Sequence, residues 1–255
     1  MSKLLKYALY DILKSRFAII YTVFLALVAI SIYQVSDDLS KVSLSLMNIM
    51  ILFIPLIAAV FSTTHFYNNL EFIELMLAQP VKRIHVFLSQ LLAVVIMLSL
   101  SIFLGFGLPM LLWGADSSLL TLLVMGVVLS AVFAGFAFLA SVMTKDKAKA
   151  IGISLALWIY FSLVYDGLVL YIIYNFADYP LEKATLALVM LNPVDLGRIL
   201  MLMQLDISAL MGYTGAFFRQ FFNSGMGTLV IIISLSIWLI LPMGLSGWIF
   251  KNKDF

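Results

Sequence analysis

Six continuous apolar stretches constrain this 255-residue chain more than any other feature. They run over residues 17–35, 44–62, 86–111, 119–143, 151–174 and 227–250. A helix needs roughly 20 apolar residues to cross the hydrocarbon core of a bilayer, whereas a strand of a membrane barrel alternates in polarity over about ten. The sequence therefore predicts an all-α, polytopic membrane protein, with six transmembrane helices in a single domain that takes up residues 1–255.

Composition excludes several classes of protein. Hydrophobic residues make up 64% of the chain and charged residues 11%, which leaves too few polar side chains to cover a water-soluble surface. The formal net charge of +2 argues against a nucleic-acid-binding protein. The absence of cysteine removes disulfides, thiolate metal ligands and cysteine nucleophiles.

Motifs of common enzymes are missing as well. The sequence has no Walker A, H-E-x-x-H or G-x-S-x-G pattern, so we expect that the chain is not an enzyme by itself. Its two histidines, His65 and His85, stand twenty residues apart without carboxylates at ligand spacing. We interpret both as interfacial residues and expect no metal site.

Positive charges indicate which side of the membrane each loop occupies. Before the first span, Leu5, Leu9, Ile12 and Leu13 form the apolar stripe of a helix that we expect to lie in the interface plane. With the N-terminus inside, eleven Lys and Arg residues fall on the inner side, and four fall on the outer side. The inner ones are Lys3, Lys6, Lys14, Arg16, Lys82, Arg83, Lys145, Lys147, Lys149, Lys251 and Lys253, and the outer ones are Lys41, Lys183, Arg198 and Arg219. Both termini are therefore predicted to be cytoplasmic.

The connection between spans two and three, residues 63–85, has a pattern of its own. Glu71 and Glu74 fall in the first turns of a short helix, where carboxylates suit the helix dipole, and Pro80 is expected to end it. Between them, residues 75–77 form a compact apolar knob that could seat in a groove on a cytoplasmic ATPase. The alternative is an interfacial helix that only anchors the loop.

The number of spans, the N-terminal interfacial helix, this loop and a large segment before the last span together resemble an ABC-2-type transporter permease. Glu74, Pro80 and Arg83 match the loop pattern of that family, whereas Glu71-Phe72 and Ser89-Gln90 stand where the family usually has Gly-Thr and Gly-Lys. The resemblance implies a homodimer that works with a separate ABC ATPase, which binds ATP and magnesium. It also implies a coupling helix, for which we take Glu71, Glu74, Leu75, Met76, Leu77, Pro80 and Arg83.

The segment 175–226 is too apolar for a solvated loop. Its apolar runs are interrupted at Asn192, Pro193 and Asp195, which predicts short re-entrant or interfacial helices covered by protein or by a wet cavity. Pro193 suits the first turn of a helix that Asn192 caps, and Asp195 and Arg198 are three residues apart, close enough to pair. The pair could simply order this turn, or the turn could form an outer gate or docking surface.

Three strings resemble a narrower group, the NosY-type permeases of the nitrous oxide reductase maturation system. They are F-I-P-L-I-A at residues 53–58, V-Y-D at residues 164–166 and L-N-P-V-D-L-G-R at residues 191–198. This resemblance implies a NosF-type ATPase, a NosD-type periplasmic partner, the bacterial inner membrane and assembly of the copper–sulfur centre of the reductase. The alternatives are an exporter of a small hydrophobic or lipid-like substrate, and a membrane mechanotransmitter that transports nothing.

Asp166 is the acidic residue that lies well inside a predicted span. A charged carboxylate without a partner at that depth costs ~3 kcal/mol or more, so we expect it to face the bundle interior or a dimer interface. It could be a polar gate, or it could make a structural hydrogen bond to a Ser or Tyr of a neighbouring helix.

Overall fold

The structure, a computed structural model, describes residues 2–36, 38–114, 117–176, 179, 181–204 and 225–253. Within these ranges the chain is helical, and no strand occurs. The helices are α1 Ser2–Leu13, α2 Arg16–Val35, α3 Leu39–Asn68, α4 Leu70–Leu77, α5 Arg83–Ile102, α6 Leu108–Trp113, α7 Ser117–Met143, α8 Lys147–Ile159, α9 Tyr165–Asn175, α10 Glu182–Met190, α11 Pro193–Gln204 and α12 Gly225–Asn252. One π-helical turn, Phe103–Gly107, joins α5 to α6, and another, Tyr160–Val164, joins α8 to α9.

Six helical stretches of the described chain are long and apolar enough to cross a bilayer. They are Arg16–Val35, Leu39–Asn68, Arg83–Trp113, Ser117–Met143, Lys147–Asn175 and Leu229–Asn252, and we call them spans one to six. Each covers one of the six predicted stretches, so the all-α, six-span prediction is confirmed.

The prediction that residues 63–85 form one connection is wrong at both ends. Span two continues to Asn68, and span three already begins at Arg83. The polar residues after Phe61 do not end the helix because they face other helices rather than water. The Thr63 hydroxyl, for example, is fully buried and lies 2.9 Å from the Ser154 hydroxyl of span five.

Side chains that cap the first turn fix where three spans begin. The Ser15 hydroxyl accepts from the backbone N–H of Ala18 at the start of span one. The carboxylates of Asp38 and Asp146 accept from the backbone N–H groups of Ser40 and Ala148, at the starts of spans two and five. Such caps satisfy backbone donors that have no partner within the helix.

Span four, helix α7, is the centre of the bundle, because most of its residues are buried against spans two, three, five and six. Its C-terminal half is rich in Ala, Gly and Ser, which allow neighbouring helices to approach closely. The closest approach lies elsewhere, where the π-helical turn of span three meets span one. A Cβ on Gly105 would stand 2.5 Å from the Cβ of Leu25, so this position accepts no larger side chain without a shift.

Between spans five and six, α10 and α11 form a helix pair bent by 113°. The residue at the bend, Asn192, is fully buried. Leu186, Val189 and Leu196 of the pair pack with Ile231 of span six in a small apolar cluster. Two short helices are therefore present where the sequence predicted them, and they lie against the bundle; we call them the re-entrant pair below, and their re-entrant or interfacial position stays a prediction. The opposite region, which holds α1, α4 and Lys253, is called the α4 end below.

Candidate functional site

The bend between α10 and α11 is built around the side chain of Asn192. Its Oδ1 accepts from the backbone N–H of Val194 at 3.0 Å, which caps α11 in the way expected from an Asn before Pro193. Its Nδ2 donates to Asp195 Oδ2 and to the backbone carbonyl of Phe161 in span five, both at 2.9 Å. One buried amide thus fixes the helix start, the carboxylate and the neighbouring span.

The π-helical turn of span five makes the bond to Phe161 possible. The Tyr165 N–H bonds to the carbonyl of Tyr160, five residues back rather than the four of an α-helix. The Phe161 carbonyl, which Tyr165 would bind in an α-helix, therefore receives the Asn192 amide. The irregular backbone of both segments is satisfied within protein, as membrane depth requires.

Arg198 joins two carboxylates one turn further along α11. Its Nη1 lies 2.7 Å from Asp166 Oδ2 of span five and 3.3 Å from Asp195 Oδ1. The Arg198 and Asp166 side chains are 32% and 29% exposed, and that of Asp195 is 10% exposed. The pairing of Asp195 with Arg198 was expected from their spacing.

Asp166 has an ionic partner, Arg198, and not the Ser or Tyr that one of the two interpretations of this residue expected. The error came from assigning Arg198 to the outer loops when it lies beside span five. A signal was present in the sequence, because an acid inside a span needs a partner of opposite charge and Arg198 lies in an apolar segment next to that span. We call Asp166, Asn192, Asp195 and Arg198 together the polar cluster.

Three more side chains protect the end of α10, whose last carbonyls have no helical partner. Ser234 Oγ and Trp238 Nε1 of span six both donate to the Met190 carbonyl, at 3.1 and 3.0 Å. The Tyr165 hydroxyl of span five donates to the Leu188 carbonyl at 2.7 Å. The re-entrant pair is therefore tied by hydrogen bonds to both spans that flank it.

A groove of about 240 Å³ opens beside the polar cluster. Asp166, Asp195 and Arg198 line part of it, and the remaining wall is apolar: Val169, Leu170, Val189, Ile199 and Leu202. An amphipathic molecule would meet charge on one side of this groove and hydrocarbon on the other.

The second candidate site is α4, which presents a smaller surface than expected. Ile73 is 1% exposed and anchors the helix, whereas Leu75 is 65% exposed. Glu71 and Glu74 are also exposed. Met76 and Leu77 instead pack partly against the core, so the predicted apolar knob is reduced to Leu75.

Pro80 and Arg83 lie outside this helix, which ends at Leu77. Arg83 is the first residue of span three, and its Nη1 donates to the Lys253 carbonyl at 2.6 Å. The Lys253 ammonium in turn donates to the carbonyls of Val142 and Thr144 at the end of span four. Burial, and then the charge of Lys145, lower the pKa of Lys253 below its ordinary value. Arg83 thus fastens the end of span six rather than α4.

Both histidines lie close to the ends of spans, and their interpretation as interfacial residues stays a prediction. The His65 side chain is buried at the end of span two, and its Nε2 bonds to Gln90 Oε1 of span three at 2.9 Å. His85 lies in the first turn of span three and is half-buried. Among the described residues, no group of His, Asp and Glu has a geometry suited to a metal ion.

A bundle of six apolar spans, with charged residues paired at a re-entrant helix, defines a polytopic integral membrane protein. The chain matches the family described as ABC-2 family transporter protein over residues 3–255, and it belongs to that family. It is therefore the membrane subunit of an ABC transporter, a class that works with a partner ABC ATPase. No curated protein matches the chain at a significant level.

Proposed function

We propose that this chain is a NosY-type permease, which works as a homodimer with a NosF-type ATPase and a NosD-type periplasmic protein in assembly of the copper–sulfur centre of nitrous oxide reductase. Its main support is the polar cluster. Two of the strings that resemble NosY-type permeases, residues 164–166 and 191–198, are separate in sequence but meet in space through Asp166 and Arg198. Residues of both strings thus belong to one hydrogen-bonded unit.

The proposed orientation puts the α4 end in the cytoplasm of a bacterium, with the chain in the inner membrane. All eleven Lys and Arg residues assigned to the inner side lie in segments at or next to that end, as the positive-inside rule requires. The bias is stronger than the sequence suggested, because Arg198 belongs to the polar cluster rather than to an outer loop. Of the other residues assigned outside, Arg219 lies beyond the described ranges.

In this orientation α4 is the coupling helix. The exposed Leu75, flanked by the carboxylates of Glu71 and Glu74, docks on the ATPase, and closure of two ATPase subunits on ATP moves it. Because α4 follows span two after the single residue Asn69, that movement reaches the bundle directly.

Asn192, Pro193, Asp195 and Arg198, together with Asp166, form the outer gate or the surface that meets the periplasmic partner. The hydrogen bonds from Tyr165, Ser234 and Trp238 to α10 favour a version in which the re-entrant pair moves with spans five and six and transmits force without transporting anything. The groove beside the polar cluster favours a different version, export of a small amphipathic or lipid-like molecule.

Complementation tests the proposed function. In a nitrous-oxide-reducing bacterium that lacks its own permease subunit, this chain and its partners should restore the copper–sulfur centre, followed by the absorption spectrum of the purified reductase. An ATPase with its Walker A lysine replaced is the matched control and should not restore it. If the complex assembles and hydrolyses ATP but the reductase lacks the centre, the NosY-type function is refuted.

Reconstitution separates the two versions of the mechanism. Proteoliposomes that contain the permease and its ATPase are supplied with ATP and with fluorescent lipid analogues. Flux that depends on ATP supports export, whereas ATP turnover without flux supports a mechanotransmitter.

A further inference from the structure

A hydrogen-bonded network of side chains lies directly behind the start of α4. His65 of span two is 7% exposed and Gln90 of span three is 2% exposed. Gln90 Oε1 lies 2.9 Å from Nε2 of the His65 ring, and the Nδ2 of Asn69 lies 3.0 Å from Nδ1 of the same ring. Asn69 is the single residue between span two and α4, so this network of side chains links α4, span two and span three.

The amide of Asn69 does not do what an amide at this position usually does. An Asn before a helix commonly caps it by accepting from the first backbone N–H groups, yet no side chain caps α4. The Asn69 Nδ2 turns back to the carbonyl of His65 at 3.0 Å and to the ring. The backbone N–H of Asn69 bonds to the same carbonyl. The Asn69 side chain thus binds His65 instead of capping the first turn of α4.

The ring can satisfy both neighbours in one protonation state. With its proton on Nε2, neutral His65 donates to Gln90 Oε1, while the Asn69 Nδ2 lies 3.0 Å from Nδ1 and 3.4 Å from Nε2 of the same ring. A buried network with every member paired is stiff and holds its neighbours in one arrangement.

Space for movement lies on one side of this network. A cavity of about 380 Å³ separates α1 from α4, and its lining includes His65, Asn69 and Gln90 together with Phe72 of α4 and Tyr7 of α1. Protein interiors are otherwise close-packed and transmit displacement rather than absorb it. The first turn of α4 can therefore swing toward α1, while His65 carries the displacement to span three.

We propose that His65, held between Asn69 and Gln90, is the positioning residue through which movement of α4 reaches span three. This inference rests on the proposed function, in that α4 is taken as the surface that docks on the ATPase. The side chains of the network face away from that surface, since Leu75, Glu71 and Glu74 are exposed and His65 and Gln90 are buried. Docking and transmission are therefore separable.

The test measures two quantities on the full complex: ATPase binding to the permease in nanodiscs, and stimulation of ATP hydrolysis by the permease. Gln90→Met keeps the volume of the side chain but removes the acceptor for His65. We expect ATPase binding within about twofold of the unaltered chain and a loss of stimulation of about tenfold, the effect of one buried hydrogen bond. Rescue by Gln90→Glu, which restores an acceptor oxygen, should recover most of the stimulation.

The chain offers two matched controls. His85→Gln changes the other histidine, which is outside the network, and should leave both quantities unchanged. Leu75→Asp changes the docking surface and should weaken ATPase binding itself by at least about tenfold. Normal stimulation in Gln90→Met would overturn the proposal, and so would a loss of binding as large as that of Leu75→Asp. If the unaltered chain fails to bind the ATPase, the proposed function fails first.

A second variant addresses movement without disturbing the network. The chain has no cysteine, so Tyr7→Cys with Phe72→Cys introduces one thiol on each side of the cavity. A cleavable bis-maleimide between them should hold α4 against α1 and block stimulation while the ATPase stays bound, and cleavage should restore it. Stimulation that persists in the cross-linked protein would refute transmission by movement of α4.

Discussion

Removal of the Arg198 charge should destabilise the bundle more than any other single charge change among the described residues. Arg198→Met keeps much of the side-chain volume but leaves Asp166 and Asp195 facing each other without a cation. Two carboxylates in one site repel each other when both are ionised. Asn192 still donates to Asp195, so Asp166 bears most of the loss.

The magnitude follows from the exposure of the pair. Breaking a fully buried ion pair costs about 3–5 kcal/mol, whereas an exposed pair is worth about 0–1 kcal/mol. Arg198 and Asp166 are about one third exposed, so we expect a loss of about 2–3 kcal/mol for Arg198→Met on this scale. Asp166→Asn should cost only about 1 kcal/mol, since the amide oxygen still accepts from Arg198 and the pair with Asp195 remains.

The free energy of unfolding in bicelles, measured by steric trapping, checks both values. The matched control is Lys149→Met, at an exposed residue near the start of span five, the span that holds Asp166. It should change the free energy by less than about 0.5 kcal/mol. The double variant Asp166→Asn with Arg198→Met should be less destabilised than the sum of the two single variants. If Arg198→Met unfolds no more easily than Lys149→Met, the ion pair does not stabilise the bundle and the reasoning is refuted.

A charge exchange between Asp195 and Arg198 is a poor test of the same pair. Their spacing alone suggests that Asp195→Arg with Arg198→Asp would preserve the interaction. The structure shows that Arg198 also pairs with Asp166 at 2.7 Å, so the carboxylate introduced at position 198 would face a second carboxylate. Failure of this exchange therefore says nothing about docking.

Three further outcomes are expected. Leu75→Asp should weaken ATPase binding by at least about tenfold in a pull-down titration, because charge replaces the exposed apolar contact of α4; unchanged binding would show that α4 is not the contact. Gly105→Ala should lower the free energy of unfolding by about 1–3 kcal/mol through overpacking, whereas Gly152→Ala, with open space around it, should be neutral or stabilising; equal effects would contradict the close approach of spans one and three. A cysteine at Lys147 should be shielded from impermeant reagents added to the outside, and one at Asp37, which lies outside the described residues, should react; the reverse pattern would invert the topology.

Local properties of the sequence determined the spans and the start of α11. Whether a stretch crosses a bilayer depends on its own length and polarity, and the six apolar stretches met that condition by themselves. The cap of α11 could be predicted for a similar reason, because Asn192, Pro193 and Val194 are neighbours in the chain. The limits of span two could not be predicted from the sequence, since polar residues such as Thr63 end a helix only if they face water.

The links between distant elements were decided by the tertiary structure alone. Arg198 meets Asp166 across 32 residues, and His65 meets Gln90 across 25. Nothing in the local pattern says which of several helix faces will be neighbours, because lipid tails are as apolar as leucine and hydrophobicity does not select among packings within a membrane. The selection comes from close packing of small residues and from the need to pair each buried polar group, and both depend on all six spans at once.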